Sequence, residues 1–150
     1  MTTSSKLILK KTLLLILFKM NTLQINRALQ NVKCYGGAFC RDQLPKINKL
    51  PCVLISNTDP CSKPGQHWVA MHLKANGSGE YFDSYGFPPI HEDLINFLNF
   101  NSPSGWSFNK HVYQAMDSDV CGLYCILYTR QKCYLRPFRN LFTRDSYMND

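Results

Sequence analysis

The sequence predicts a single α+β domain: a small mixed or antiparallel sheet with helices packed on it. Three observations carry that prediction. The run Cys52-Val53-Leu54-Ile55, bounded by Pro51 and Asn57, is short, apolar and rich in strand formers, as a buried strand should be. The segments His67 to Lys74 (HWVAMHLK) and Glu80 to Asp83 (EYFD) flank the turn Ala75-Asn76-Gly77-Ser78-Gly79 and read as a hairpin. Around these strands lie three stretches of helical character, TLQINRAL, HEDLINFLNF and CGLYCILY. A chain of 150 residues suits one core, and neither a linker nor an internal repeat divides it.

Taken in order, Thr22 to Leu29 spaces Leu23, Ile25, Ala28 and Leu29 at a partly helical period behind a cap at Asn21 or Thr22, which predicts a short helix. Gly36-Gly37 and Pro45 read as turn chemistry. The buried strand at 52–55 is followed by the loop NTDPCSKPGQ and then by the hairpin. His67 opens the first hairpin strand and Asp83 closes the second, so antiparallel pairing brings both to the same edge of the sheet. After the turn Gly86-Phe87-Pro88-Pro89, acids in the first turn of HEDLINFLNF favour a helix. Trp106 to Tyr113 returns to strand character, the loop Gln114 to Val120 follows, and an apolar helix begins near Cys121. Beyond Arg136-Pro137 the expectation is helix or coil.

The net charge of +7 is confined to the ends. Residues 1–19 carry +4 and residues 130–150 carry +3, whereas residues 20–129 are neutral. The body of the domain therefore lacks the basic face of a nucleic-acid-binding protein, and only a weak contact through the ends is expected. Residues 1–19 form a basic, apolar extension, with Met20 as an alternative start for a domain over 20–150. The run Leu13 to Phe18 is shorter than a secretory h-region, and Leu7 to Phe18 is interrupted by Lys10 and Lys11, so no stable membrane span is expected. A basic amphipathic helix lying on a surface stays open. Seven cysteines without a C-x-x-C pair fit no structural zinc pattern. They are read as mostly buried small hydrophobes with at least one reactive thiol, in an intracellular protein of cytoplasm or nucleus, with a Cys34–Cys40 disulfide as the alternative.

The chemistry-bearing residues converge on one of those thiols. A helix N-terminus lowers a thiol pKa from about 8.5 toward roughly 3.5–7.5, and Cys121 has that seat, with Asp119 placed to cap the helix and Gly122 leaving the adjoining backbone open to a substrate carbonyl. His67 can exchange a proton with the thiol and later protonate a leaving amine; Asp83 can hold the second imidazole nitrogen. Gln114 can aim its amide N–H at a developing oxyanion, joined by the backbone N–H of Cys121. His72, His91 and His111 have no carboxylate or cysteine at a recognised ligand spacing, so neither a metal nor a cofactor is expected.

The motifs G-Q-H-W-V-A at 65–70, Y-F-D-S-Y-G at 81–86 and Q-A-M-D-S-D-V-C-G-L-Y-C at 114–125 make the sequence resemble the adenovirus protease (adenain) and its relatives in the ubiquitin-like-protein protease superfamily, including those of Maverick/Polinton-type elements. The order histidine, acid, glutamine, cysteine and the six residues between Gln114 and Cys121 match that family's adenovirus branch. The resemblance implies a papain-like fold in the adenain arrangement. It assigns His67 as base, Asp83 as its orienter, Gln114 to the oxyanion hole and Cys121 as nucleophile, with Trp68 as the aromatic that shields the ion pair. The implied activity is cysteine-type peptide-bond hydrolysis, processing viral or transposon-type precursor proteins. The alternatives are a SUMO-type isopeptidase and a catalytically silent binding module of the same fold. Two departures limit it: the acid is aspartate rather than glutamate, and no cysteine lies between Asp83 and Gln114 to join an activating peptide by disulfide.

Overall fold

The computed structural model describes residues 19–116 and 118–134. In order, it contains α1 (Thr22–Leu29), β1 (Tyr35–Cys40), a short 3-10 turn (Arg41–Gln43), β2 (Cys52–Asn57), β3 (Trp68–Leu73), β4 (Gly79–Phe82), α2 (Glu92–Asn101), β5 (Trp106–Phe108) and α3 (Cys121–Tyr134). The five strands form one sheet in the order β1-β2-β3-β4-β5. The central pairs β2/β3 and β3/β4 are antiparallel, and the outer pairs β1/β2 and β4/β5 are parallel. This is the expected α+β class, with a mixed sheet at its centre.

The sheet lies between helical layers, and the alternation along β2 and β3 shows how. Val53, Ile55, Trp68 and Ala70 face α1 and α3, where they join Ile25, Leu29, Tyr124, Cys125 and Tyr128. Val69 and Met71 face the other way, onto Leu94 and Leu98 of α2. Every residue of β2 and β3 is consequently buried, which is why these segments read as apolar runs rather than as a clean in/out alternation. Each fully buried Leu, Ile or Val here contributes on the order of 1.5–3 kcal/mol through surface removed from water.

Local rules account for most element ends. Asn21 caps α1 through a reciprocal capping box with Gln24, both bonds at 2.9 Å. The hairpin turns at Gly77, which has φ +86°. Two element readings need correction. Gly36-Gly37 is not a turn but part of β1: Gly37 has φ +118° at a bulge in the β1/β2 register, and a Cβ on Gly36 would stand 2.5 Å from Cys52 Sγ. The glycines are there so that a parallel edge strand can approach β2 closely. The strand expected over Trp106 to Tyr113 stops at Phe108: the Asn109 N–H still reaches the Tyr81 carbonyl at 3.3 Å, but its side chain grips the backbone of Asp83, and beyond it the chain leaves the sheet.

The cysteines also differ from expectation. Cys34 is bonded to Cys133 and Cys40 to Cys61, which rules out a Cys34–Cys40 bridge; Cys52, Cys121 and Cys125 are free and buried. Pairing across 99 residues cannot be read from spacing, since it depends on α3 returning beside the start of β1. Residues 1–18 and 135–150, which hold most of the basic ends, lie outside the described residues; Lys19, Arg130 and Lys132 lie within them. Among the described residues no helix is long and apolar enough to cross a membrane.

The Cys34–Cys133 bridge closes a loop of about a hundred residues, for which chain-entropy arguments give up to about 4–5 kcal/mol. Cys133→Ala should therefore lower unfolding stability by about 2–5 kcal/mol in denaturant titration. Peptide mapping of unreduced protein should recover the 34–133 and 40–61 pairs, with alkylation of Cys52, Cys121 and Cys125 only after unfolding or, for Cys121, through its own reactivity.

Candidate active site

The hairpin does what its spacing promised. Ala70 pairs with Phe82 and Met71 with Tyr81, so the residues just past the two strand ends, His67 and Asp83, stand side by side. His67 Nε2 donates to Asp83 Oδ1 at 2.9 Å, and their side chains are only 16% and 6% exposed. The same Oδ1 accepts the backbone N–H of Tyr85 at 2.8 Å. With Nε2 committed to the carboxylate, Nδ1 is the nitrogen left for the thiol of Cys121, with which the imidazole also interacts. Burial disfavours the imidazolium, but hydrogen bonds to Asp83 and Cys121, reinforced by their charges, outweigh it and push the His67 pKa up to about 9.

Cys121 is the first residue of α3 and is 3% exposed. Its Sγ accepts the backbone N–H of Trp68 at 3.4 Å, so the residue next to the histidine ties the sheet edge to the sulfur. Trp68 itself is buried, and its indole N–H donates to the carbonyl of Met20 at 2.8 Å. Gly122 makes room for a neighbour. A Cβ there would lie 3.1 Å from Met20 Cβ, so its missing side chain admits Met20 against the helix start. Asp119, expected to cap α3, is exposed. Beside Trp68 a cleft of about 200 Å³ opens between Met20, Asn57, the loop Asp59 to Gly65 and the Cys40 end of β1.

Gln114 is completely buried. Its Oε1 accepts from the Ser84 hydroxyl, and its Nε2 donates to the Ser118 carbonyl at 2.7 Å and to the Tyr85 hydroxyl at 3.2 Å. Both amide hydrogens are thus engaged by protein groups, within the loop that leads to Cys121. Three residues that sequence reasoning did not single out complete the setting. Asn109 accepts the Asp83 N–H at 2.8 Å and donates to the Asp83 carbonyl at 2.7 Å, fixing the backbone of the acid. The Ser84 carbonyl accepts the backbone N–H groups of Tyr113 and Gln114 at 2.8 and 3.0 Å. Tyr85 stacks on the His67 ring with centroids 4.8 Å apart and planes 25° from parallel. Only the position of Tyr85, two residues beyond the acid, could have flagged it.

Among the described residues, Cys40, Asp42 and Cys61 are the one trio of metal-ligand types close enough to share an ion. The two sulfurs are joined in a disulfide, so no thiolate is free there to bind a metal. His72 lies against Glu80 at the far end of β3.

No protein-family model matches the chain. Over 96 residues the chain is 32% identical to a protein of Acanthamoeba polyphaga mimivirus provisionally named a thiol protease, a match that takes in 58% of this chain and 32% of the relative. The chain thus spans about a third of the length of that curated relative. Among solved structures it is similar to the crystal structure of a selenomethionine ASFV protease, with 26% identity and a TM-score of 0.42, over 55% of this chain and 35% of that one.

Because the folded value of His67 lies above its ordinary 6.5, the protonated ring contributes stability that is complete below about pH 6.5 and is lost as pH rises through about 9. NMR titration of the imidazole should accordingly show a protonated His67 well above neutrality. Asp83→Asn should bring its midpoint down by at least about one unit; an unchanged midpoint would refute the assignment of Asp83 as its partner.

Proposed function

We propose that the chain is a cysteine-type peptidase in which Cys121 is the nucleophile, His67 the proton carrier, Asp83 its orienter and Gln114 an oxyanion donor. The observation that carries the reading is the imidazole bonded to Asp83 at 2.9 Å and interacting as well with the buried thiol of Cys121 at a helix N-terminus. A scaffold histidine has no need of both a carboxylate and a thiol. The mimivirus relative's name points the same way.

In this mechanism the thiolate of Cys121 attacks the scissile carbonyl carbon while His67 carries the proton. The carbonyl oxygen takes the negative charge and is met by the backbone N–H of Cys121 and by one hydrogen of the Gln114 amide, released from its resting partner. Collapse of the intermediate breaks the C–N bond. His67 gives its proton to the departing amine, leaving an acyl group on the sulfur. Water, deprotonated by His67, then attacks the thioester and frees the acid and the thiol. Asp83 stays ionised throughout and holds the imidazole in the orientation that serves both steps. Trp68, buried next to His67, anchors the sulfur through its backbone N–H and serves in this reading as the aromatic shield from solvent.

For substrate we favour precursor proteins of viral or transposon type, cut after small residues such as Gly-Gly. The six-residue spacing between Gln114 and Cys121 and the viral source of the relative support this choice over removal of a ubiquitin-like protein. The test compares a peptide aldehyde and a glycine-ended ubiquitin-like vinyl sulfone on wild type, Cys121→Ala and His67→Ala. Wild type should bind the aldehyde and both variants should fail, with hydrolysis of a Gly-Gly aminocoumarin peptide falling by about 10⁴-fold or more. Preference for the vinyl sulfone would move the assignment to an isopeptidase. No labelling of folded wild type would leave a silent binding module.

A further inference from the structure

Tyr85 touches both halves of the proposed machinery. Its ring lies parallel to the His67 imidazole at a centroid distance of 4.8 Å. Its backbone N–H donates to the same Asp83 oxygen that holds the imidazole, at 2.8 Å. At the far end of the ring, its hydroxyl donates to the Ser118 carbonyl at 3.1 Å and accepts from the Gln114 amide at 3.2 Å. One residue therefore spans the distance from the proton carrier to the loop that precedes the nucleophile.

We propose that Tyr85 is a positioning residue of the reaction: its ring holds the His67 imidazole in plane and its hydroxyl holds the Gln114 amide and the Ser118 carbonyl in register for the oxyanion. The inference rests on the peptidase reading above and deepens it. An imidazole bonded to Asp83 through one nitrogen can still rock about that bond, and a flat ring stacked on its face removes the freedom. The stack also favours the charged imidazole, since the face of an aromatic ring is the negative end of its quadrupole. The Tyr85 ring cannot drift because it is bonded at both ends, by its own backbone N–H near Asp83 and by its hydroxyl near Ser118.

At the other end, Gln114 has two amide hydrogens and both are in use at rest, on Ser118 and on Tyr85. An oxyanion that draws one of them leaves the amide held by the remaining bond and by the Ser84 hydroxyl on its oxygen. The contact to Tyr85 is the longer of the two, so it is the more readily exchanged. The phenol thus keeps the donor aimed before the substrate arrives and then yields it, while its own bond to the Ser118 carbonyl keeps the loop seated.

The ring and the hydroxyl are separable by substitution. Tyr85→Phe keeps the stack and should lower kcat on the Gly-Gly aminocoumarin peptide by at least about tenfold with KM changed less than about twofold. Its rate and pH profile of Cys121 alkylation by iodoacetamide should match wild type. Tyr85→Leu should lose the stack as well and move the alkaline limb of kcat/KM, and the alkylation profile, to lower pH. Tyr85→Trp should restore the pH profile but not kcat, and Tyr85→Met, which likewise lacks a ring, takes the place of the leucine variant should that fail to fold by circular dichroism. Wild-type kcat in Tyr85→Phe together with a wild-type pH profile in Tyr85→Leu would overturn the inference alone. A folded wild type that neither hydrolyses the peptide nor labels at Cys121 would overturn the peptidase reading and this inference together.

Discussion

The antiparallel register of β3 against β4 is the constraint from which the rest of the site follows. Pairing Ala70 with Phe82 sets His67 and Asp83 just beyond the ends of their strands, within 2.9 Å of each other. Side chains alternate faces along a strand, so a slip of one residue would send the carboxylate to the opposite side of the sheet and leave the histidine without a partner. The register is hard to slip because β3 is the central strand, paired on both edges and buried on both faces. His67 and Asp83 therefore flank the pairing whose register is hardest to shift. Their two side chains nevertheless stand where the backbone is free to leave the sheet.

The helix α3, with Cys121 as its first residue, is brought to that edge by contacts at both of its ends. At the start of α3, Met20 fills the space left by Gly122, and the indole of Trp68 bonds to the Met20 carbonyl. Toward its end, Lys132 reaches Glu80 at 3.0 Å and Cys133 is bonded to Cys34. Glu80 also receives Lys74 at 2.7 Å and lies beside His72. Its carboxyl is held well below the usual range, chiefly by the neighbouring His72 imidazole at 3.8 Å and then by the two lysines, against a burial effect that pushes the other way. Glu80 of β4 thus ties the sheet to α3 through Lys132, while His67, just before β3 and held by Asp83, also interacts with Cys121 at the start of α3.

Around the acid a second set of bonds works on the backbone rather than on the reacting atoms. Asn109 grips both the N–H and the carbonyl of Asp83, and Ser84 takes two N–H groups from the returning segment at Tyr113 and Gln114. These bonds end β5 early and turn the chain toward Cys121. The end of β5 and the seating of Asp83 thus meet at one residue: the Asn109 N–H makes the last bond to β4, at Tyr81, while its side chain holds Asp83. Buried polar networks of this kind specify one arrangement because each broken member leaves an unsatisfied group in a poorly solvated place.

The sequence by itself determined the α+β class, the hairpin, helices over TLQINRAL and HEDLINFLNF, the start of another near Cys121, and the meeting of His67 with Asp83. Those features depend on period, turn chemistry and capping, which act over a few residues. It also singled out Cys121 as the thiol at a helix start. It misread Gly36-Gly37 as a turn because glycine signals an unusual backbone without saying whether a turn or a close parallel neighbour requires it. Only the tertiary structure decided that Gly122 makes room for Met20, that Gln114 is fully engaged by Ser84, Ser118 and Tyr85, and that four of the seven cysteines are paired. In each of these cases the partner is remote along the chain or lies across an irregular loop. Identity and spacing say which groups can react or bond, whereas the partner each one meets depends on how separate elements come to rest against one another.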